Sequence, residues 1–163
     1  MESNHQITEK IVAFLMEIGI ATRQAELSGR CILPGIRVED GVILYDEGQL
    51  LYPGDLLHEA GHLAVLSPDQ RIHASADTGD DGGLEISAIA WSYAAALHIA
   101  IDPAVVFHPN GYQGGGGYIV TNFANGHYMG VPMLQWLKMS FEPKLAREQG
   151  VSPYPHMLRW TRA

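Results

Sequence analysis

The segment LLHEAGHLAVL, residues 56–66, is the feature that most constrains this chain, because ionisable side chains interrupt an otherwise apolar run. Its apolar residues recur at helical spacing, and Asp55 directly before it is a residue type that caps helix N-termini. His58 and His62 are four positions apart, so a helix would place both rings on one face, one turn apart. The spacing therefore predicts a helix over residues 56–66 whose two imidazoles converge.

Glu59 completes the pattern H-E-x-x-H, in which two histidines bind a zinc ion and the glutamate acts on a water molecule. Two imidazoles in this arrangement can each reach one ion at about 2.0–2.1 Å. Glu59 lies about 100° around the helix from His58, so it is a poor ligand, but it can take a proton from a water on the metal. The alternative is a metal-free segment with two core histidines and a surface glutamate. The pattern favours zinc bound by His58 and His62, with Glu59 as the catalytic base.

A third ligand must come from elsewhere, because a catalytic zinc usually has three protein ligands and one open position. The extended three-histidine pattern would need a glycine and a histidine where Val65 and Pro68 stand, which excludes that kind of site. The candidates are His73, Asp77, Asp80, Asp81, Glu85, His98 and His108. His73 falls in a polar loop and is the second choice.

Glu85 is the preferred third ligand, because it is the one acidic residue in the apolar segment 84–101. A buried carboxylate is unfavourable unless a cation or hydrogen-bond donors satisfy it, and a zinc ion would do so. The alternative is that Glu85 occupies an exposed first turn, where the helix dipole favours a negative charge. His98 lies near the opposite face of the same predicted helix and is expected to be a packed or surface residue. Mostly small residues share the face of Glu85, which would let a second helix approach: Ala88, Ile89, Ser92 and Ala96.

The first third of the chain predicts a helix followed by a small antiparallel sheet, which makes the fold class α+β. The apolar spacing indicates a helix over residues 5–19. Strands over 36–39 and 42–45 flank a two-residue hairpin turn, and a short apolar run over 50–52 predicts a third antiparallel strand. An exposed strand of this sheet, residues 42–46, offers an edge to which an extended peptide could add.

The chain after residue 105 has weaker patterns. GYQGGGGY, residues 111–118, predicts a flexible loop, followed by a strand over 118–124 and a short helix over 131–142. We reject a phosphate-binding loop, because no Lys-Ser/Thr pair closes it and no helix is expected after it. A plain surface loop is favoured over a lid. In a lid, three side chains are candidate hydrogen-bond donors in a transition state: His108, Tyr112 and Tyr118.

The sequence E-I-S-A-I-A-W-S-Y-A, which follows the H-E-x-x-H helix, resembles the ImmA/IrrE-type metallopeptidases. These are gluzincins, in which a glutamate on the next helix is the third zinc ligand, and their second helix commonly shows E-x-x-A-N-x-F-A. Glu85, Ala88 and the aromatic Trp91 match this pattern, whereas Ile89 replaces the asparagine and Ser92 the next alanine.

The resemblance implies a minimal zincin-like fold with one zinc ion held by His58, His62 and Glu85. It also implies that the protein is a metallopeptidase that cleaves a peptide or protein substrate. The intact Glu59 favours this hydrolase over the alternative, a non-catalytic zinc-binding or partner-binding protein that keeps the fold. A structural zinc site would be closed by a fourth protein ligand. A zinc hydrolase that acts on non-peptide amides also stays open.

Composition and charge narrow the class of protein further. The length of 163 residues suits one domain, residues 1–163. The formal net charge of −8, with no basic cluster, would repel a phosphate backbone, so we expect no nucleic-acid partner. We read no signal peptide, and polar residues within the apolar segment 84–101 predict a core helix instead of a membrane span. The single cysteine, Cys31, excludes an internal disulfide, and the expected location is cytoplasmic.

Overall fold

The structure, a computed structural model, describes residues 1–75 and 82–163. The candidate ligands Asp77, Asp80 and Asp81 lie outside the described residues. In the described part of the chain, helices and a small sheet give a mixed α+β fold. The helices are α1 (Asn4–Ile18), α2 (Asp55–Val65), α3 (Pro68–Arg71), α4 (Gly82–His98), α5 (Pro103–Val106), α6 (Gly116–Ala124), α7 (Val131–Trp136) and α8 (Pro143–Gln149).

Helix α1 confirms the helix predicted over residues 5–19. Ser3 caps its N-terminus, because its hydroxyl accepts a hydrogen bond from the backbone N–H of Gln6 while the Gln6 side chain accepts one from the Ser3 backbone. Gly19 ends it with φ 84°, a left-handed conformation that glycine adopts without strain. The apolar stripe of α1 faces the core through Ile7, Ile11, Phe14 and Leu15.

The sheet contains β1 (Thr22–Gln24), β2 (Ile36–Glu39) and β3 (Val42–Tyr45) in the order β1-β3-β2. The hairpin of β2 and β3 confirms the predicted antiparallel pair. The expected third strand over 50–52 is wrong, because the backbone of Leu50 closes a turn by donating to the carbonyl oxygen of Asp46. The third strand is instead β1, which pairs parallel to β3, so the sheet is mixed and the prediction of an antiparallel sheet needs this correction.

The position of β3 also changes the expectation for peptide binding. β3 has β1 on one side and β2 on the other, so both of its backbone edges are already hydrogen-bonded. The prediction that an extended peptide adds to the edge of the sheet at residues 42–46 is therefore wrong.

Helices α2 and α4 form the centre of the fold. α2 confirms the helix predicted over residues 56–66, although Gly54, and not Asp55, occupies its N-cap position. α4 is buried along most of its length, as the core-helix interpretation of segment 84–101 predicts. Among the described residues, no helix has the length and apolar character needed to cross a bilayer. Buried side chains from Ile7 to Met157 form one continuous hydrophobic cluster around this pair.

The segment after the Gly-rich sequence differs from the prediction. Residues 116–124 form α6, whereas a strand was expected over 118–124. The β-branched residues of this segment favour a strand, but Ile119 and Phe123, four positions apart, are both buried against the core on one helix face. Burial of that face outweighs the local preference. α7 confirms the predicted helix after residue 131 but ends earlier, before Lys138 with φ 59°.

Candidate metal centre

Close packing of α2 on α4 brings the two sets of predicted ligands together. Gly61, inside the H-E-x-x-H sequence, faces α4 without a side chain, and a Cβ there would lie 2.9 Å from the carbonyl oxygen of Ala88. The hydroxyl of Ser92 lies in the same contact, where it donates to the carbonyl oxygen of Ala88 at 2.7 Å and also lies 3.3 Å from the carbonyl oxygen of Leu57 on α2. The small residues of both helices therefore place Glu85, near the start of α4, beside the histidines of α2.

The distances among three side chains describe a convergent donor set. The Nε2 atoms of His58 and His62 are 3.1 Å apart. The Glu85 carboxylate has Oε2 at 2.9 Å from His62 Nε2 and Oε1 at 3.7 Å from His58 Nε2. Two ligand atoms at bonding distance from a tetrahedral zinc ion are separated by about 3.3 Å. The 3.1 Å between the two Nε2 atoms lies near that value, and each oxygen of the Glu85 carboxylate lies close to a different histidine. Two imidazole nitrogens and one carboxylate thus fit the ligand set of an open zinc site.

Glu59 is the buried member of the cluster. His58, Glu59 and His62 each have a ligand atom within 4.8 Å of the others, so this group could hold a metal ion. The Glu85 carboxylate is also near the histidines, with one oxygen 2.9 Å from Nε2 of His62 and the other 3.7 Å from Nε2 of His58. Both glutamates are therefore placed where a third ligand is needed. Glu59 is 8% exposed, and within residues 1–75 and 82–163 its carboxylate oxygens are not among the fully buried atoms that lack a hydrogen-bond partner.

The electrostatics of the cluster differ from one side chain to the next. Burial, together with His62, lowers the pKa of His58 to about 4, although Glu85 opposes this shift. Burial also acts to lower the pKa of His62, but the hydrogen bond to Glu85 and the charge of Glu59 outweigh it and raise that pKa. The same hydrogen bond lowers the pKa of Glu85. His58 is therefore a neutral ring at neutral pH. A proton lies between Nε2 of His62 and the carboxylate of Glu85, and a metal cation can take the place of that proton.

Burial raises the pKa of Glu59. The carboxylates of Asp55 and Glu85 act in the same direction, and His62 opposes them. A carboxyl with a raised pKa holds a proton more readily than an exposed one. This is the property that a general base beside the two histidines requires.

Tyr112 is the predicted donor that lies in contact with the cluster. Its hydroxyl oxygen is 2.8 Å from Nδ1 of His58, and the two rings are edge to face. Burial raises the pKa of Tyr112, and the negative charges of Glu85, Asp55 and Glu59 add to that shift, so the phenol stays protonated. The residue follows α5 in a 3₁₀ turn, Tyr112–Gly114, within the predicted Gly-rich loop.

His108, another predicted donor, forms a hydrogen bond with Asp55 and not with the metal-binding cluster. Its Nε2 lies 2.7 Å from Oδ1 of Asp55, both side chains are buried, and the ring stacks on Tyr52 with centroids 4.0 Å apart. Burial raises the pKa of Asp55, while the hydrogen bond from His108 opposes that shift. Among the described residues, Nδ1 of His108 is a buried nitrogen without a hydrogen-bond partner. The pair connects the first turn of α2 to the segment that carries Tyr112.

The other candidates lie elsewhere. Tyr118 is 71% exposed on α6. His73 is exposed after α3. His98 packs its ring against Phe14 and Trp160, which agrees with its expected structural role. Sequence reasoning missed Asp55 as a buried partner because an aspartate before a helix is normally interpreted as a cap.

The chain matches no protein-family model, no curated protein and no solved structure. The assignment of the site therefore depends on its own geometry, and the ImmA/IrrE-type resemblance stays a prediction from the motif.

Proposed function

We propose that this protein is a zinc-dependent hydrolase, and specifically a metallopeptidase. The observation that carries the proposal is the convergence of the His58, His62 and Glu85 donor atoms beside the largely buried carboxyl of Glu59. Two imidazoles and one carboxylate are a common ligand set for catalytic zinc, and they leave a coordination position open for water or substrate. A structural site would need a fourth protein ligand.

His58, His62 and Glu85 would hold the ion, and Glu59 would do the proton chemistry. When bound, a zinc ion polarises a carbonyl group and makes a water molecule more acidic. Glu59 lies on the same helix as both histidines, one position after His58, and it is largely buried. It would take the proton from the attacking water and then deliver it to the leaving amine.

A peptide is the substrate that we favour, and its support is the resemblance of the two helices to the ImmA/IrrE-type metallopeptidases. The alternative is a non-catalytic protein that keeps the zinc ligands for partner binding. That protein would have no need of a carboxyl beside the two histidines, whereas a hydrolase needs one there as its general base. Burial raises the pKa of Glu59, which suits that role. The position of Glu59 therefore favours the hydrolase.

The test compares wild type with Glu59→Gln in metal-loaded protein, using a mixed peptide library with product detection by mass spectrometry. We expect cleavage by wild type and a rate about 10²–10⁴-fold lower in the variant, with zinc content unchanged in both. Glu148→Gln, at an exposed position on α8, is the matched control and should keep the full rate. Equal rates for wild type and Glu59→Gln would disprove the mechanism. Zinc binding without cleavage of any peptide would favour the partner-binding alternative.

A further inference from the structure

We infer that Tyr112 is a positioning residue for the metal site: its phenol oxygen accepts the Nδ1 proton of His58, and this leaves the Nε2 lone pair of that ring facing His62 and Glu85. The inference depends on the proposed metal ligation by His58. It does not depend on hydrolysis or on the nature of the substrate.

The two nitrogens of the His58 ring face different groups. Nε2 is 3.1 Å from His62 Nε2 and 3.7 Å from the Glu85 carboxylate, whereas Nδ1 is 2.8 Å from the hydroxyl of Tyr112. A neutral imidazole carries one proton, and only the nitrogen without it can bind a metal. If the proton were on Nε2, the lone pair would point at Tyr112 and away from the other ligands. Ligation through Nε2 therefore requires Nδ1–H, and the phenol oxygen is the acceptor in place for it.

The Gly-rich segment is built to hold Tyr112 in this place. Tyr112 and Gln113 both have φ of 53°, a left-handed conformation that non-glycine residues rarely adopt. On either side of them, glycines allow close backbone approach. A Cβ on Gly111 would lie 3.2 Å from the ring of His108, and one on Gly116 would lie 2.3 Å from the carbonyl oxygen of Phe107. The sequence GYQGGGG thus has a structural explanation that a plain surface loop does not provide.

Unusual backbone conformations persist where the surroundings enforce them, and they occur often at functional sites. Here the surroundings are the buried pair of His108 with Asp55, the ring of Phe107 at 5.2 Å from that of Tyr112, and the close contact at Gly116. These contacts join the segment to the first turn of α2. The tyrosine is therefore fixed relative to the helix that carries His58.

The first experiment measures zinc affinity by competition with a chromophoric chelator, for wild type, Tyr112→Phe and Tyr118→Phe. We expect Tyr112→Phe to bind zinc about 10–100-fold more weakly, which is the range found when an outer partner of a metal-binding histidine is lost. Tyr118→Phe removes the same hydroxyl from an exposed tyrosine of the same region and should bind as wild type does. Equal affinities for Tyr112→Phe and wild type would overturn the inference.

A second readout needs no variant. Nitrogen-15 NMR of the histidine rings in zinc-loaded wild type should show His58 bound through Nε2 and protonated at Nδ1, with slow exchange of that proton. Ligation through Nδ1 would overturn the inference.

A pair of adjacent glycines tests the role of the segment. Gly116→Ala would force its Cβ against the Phe107 carbonyl oxygen, whereas a Cβ on Gly117, also on α6, would have no atom within 4 Å, so that position tolerates alanine. We expect Gly116→Ala to reproduce the loss of zinc affinity and Gly117→Ala to leave it unchanged. Wild-type affinity in folded Gly116→Ala would contradict the role given to the segment. Absence of zinc binding by wild type would reject the proposed function together with this inference, whereas binding by wild type with equal affinity in Tyr112→Phe rejects only the inference.

Discussion

The α2–α4 pair and the segment from Phe107 to Tyr118 contribute to the same site in different ways. In the helix pair, regular backbone and short spacings place His58, His62 and Glu85, and small residues let the helices approach. In the other segment, left-handed backbone and close glycine contacts place Tyr112, which is 54 positions away from its partner His58. Local spacing can thus identify candidate metal ligands, whereas the groups proposed to orient them depend on long-range packing.

The largest effect is expected where the two regions meet, at the buried pair of Asp55 and His108. Asp55→Ala removes the acceptor for His108 Nε2 in a buried environment and should reduce the free energy of unfolding by about 1–3 kcal/mol. Asp55→Asn keeps an acceptor oxygen at the same place and should cost less than about 1 kcal/mol. Urea denaturation of both variants measures the difference. If the two variants lose equal stability, the hydrogen bond does not join the regions as described.

Gly61→Ala tests the helix pair alone. Alanine favours a helix by about 1 kcal/mol over glycine, but here its Cβ would press on the backbone of Ala88. We expect a net loss of about 1–2 kcal/mol from overpacking, and weaker zinc binding because α4 and Glu85 must move. Gly117→Ala is the control, since nothing lies within 4 Å of the added methyl group. A stabilised Gly61→Ala with wild-type zinc affinity would show that close helix packing is not needed.

The smallest effect concerns Glu59, a proposed functional residue that we expect to destabilise the fold. In metal-free protein at neutral pH, Glu59→Gln should increase the free energy of unfolding by about 1 kcal/mol, because burial disfavours the charged carboxylate more than His62 favours it. The pKa of Glu59 is raised in the folded state, so wild type loses stability as pH rises from its ordinary value of 4.5 through the raised value. The advantage of the variant should thus disappear below pH 4.5.

Unfolding of both proteins across this pH range, with a chelator present, checks that prediction. A destabilised Glu59→Gln at neutral pH would indicate that the carboxylate has a stabilising partner. A lower cleavage rate of Glu59→Gln would then have two explanations, the loss of the base and the loss of stability.

The sequence was sufficient for the helix pair and for the hairpin, because their patterns are local. His58 and His62 at one-turn spacing, and Glu85 in an apolar segment, identified the donor atoms that the structure brings within 3.7 Å. Small residues on one face of α4 correctly indicated a close neighbour, which is the backbone around Gly61.

The remainder depends on contacts that local patterns do not encode. β1 is mostly exposed and lacks apolar alternation, so only its backbone pairing with β3 identifies it as a strand. α6 contains β-branched residues that favour a strand, but the segment is a helix because that conformation buries Ile119 and Phe123 on one face. The contact of Tyr112 with His58 depends on how the Gly-rich segment packs against α2, which is distant from it in sequence.

A zinc titration of wild type and Glu85→Ala tests the central claim, that one ion is held by His58, His62 and Glu85, most directly. We expect one zinc ion per chain in wild type and an affinity loss in Glu85→Ala greater than the roughly 100-fold effect of losing an outer partner. Circular dichroism should show that both proteins are folded. Absence of stoichiometric zinc in wild type, or equal zinc affinity in the two proteins, would contradict the claim.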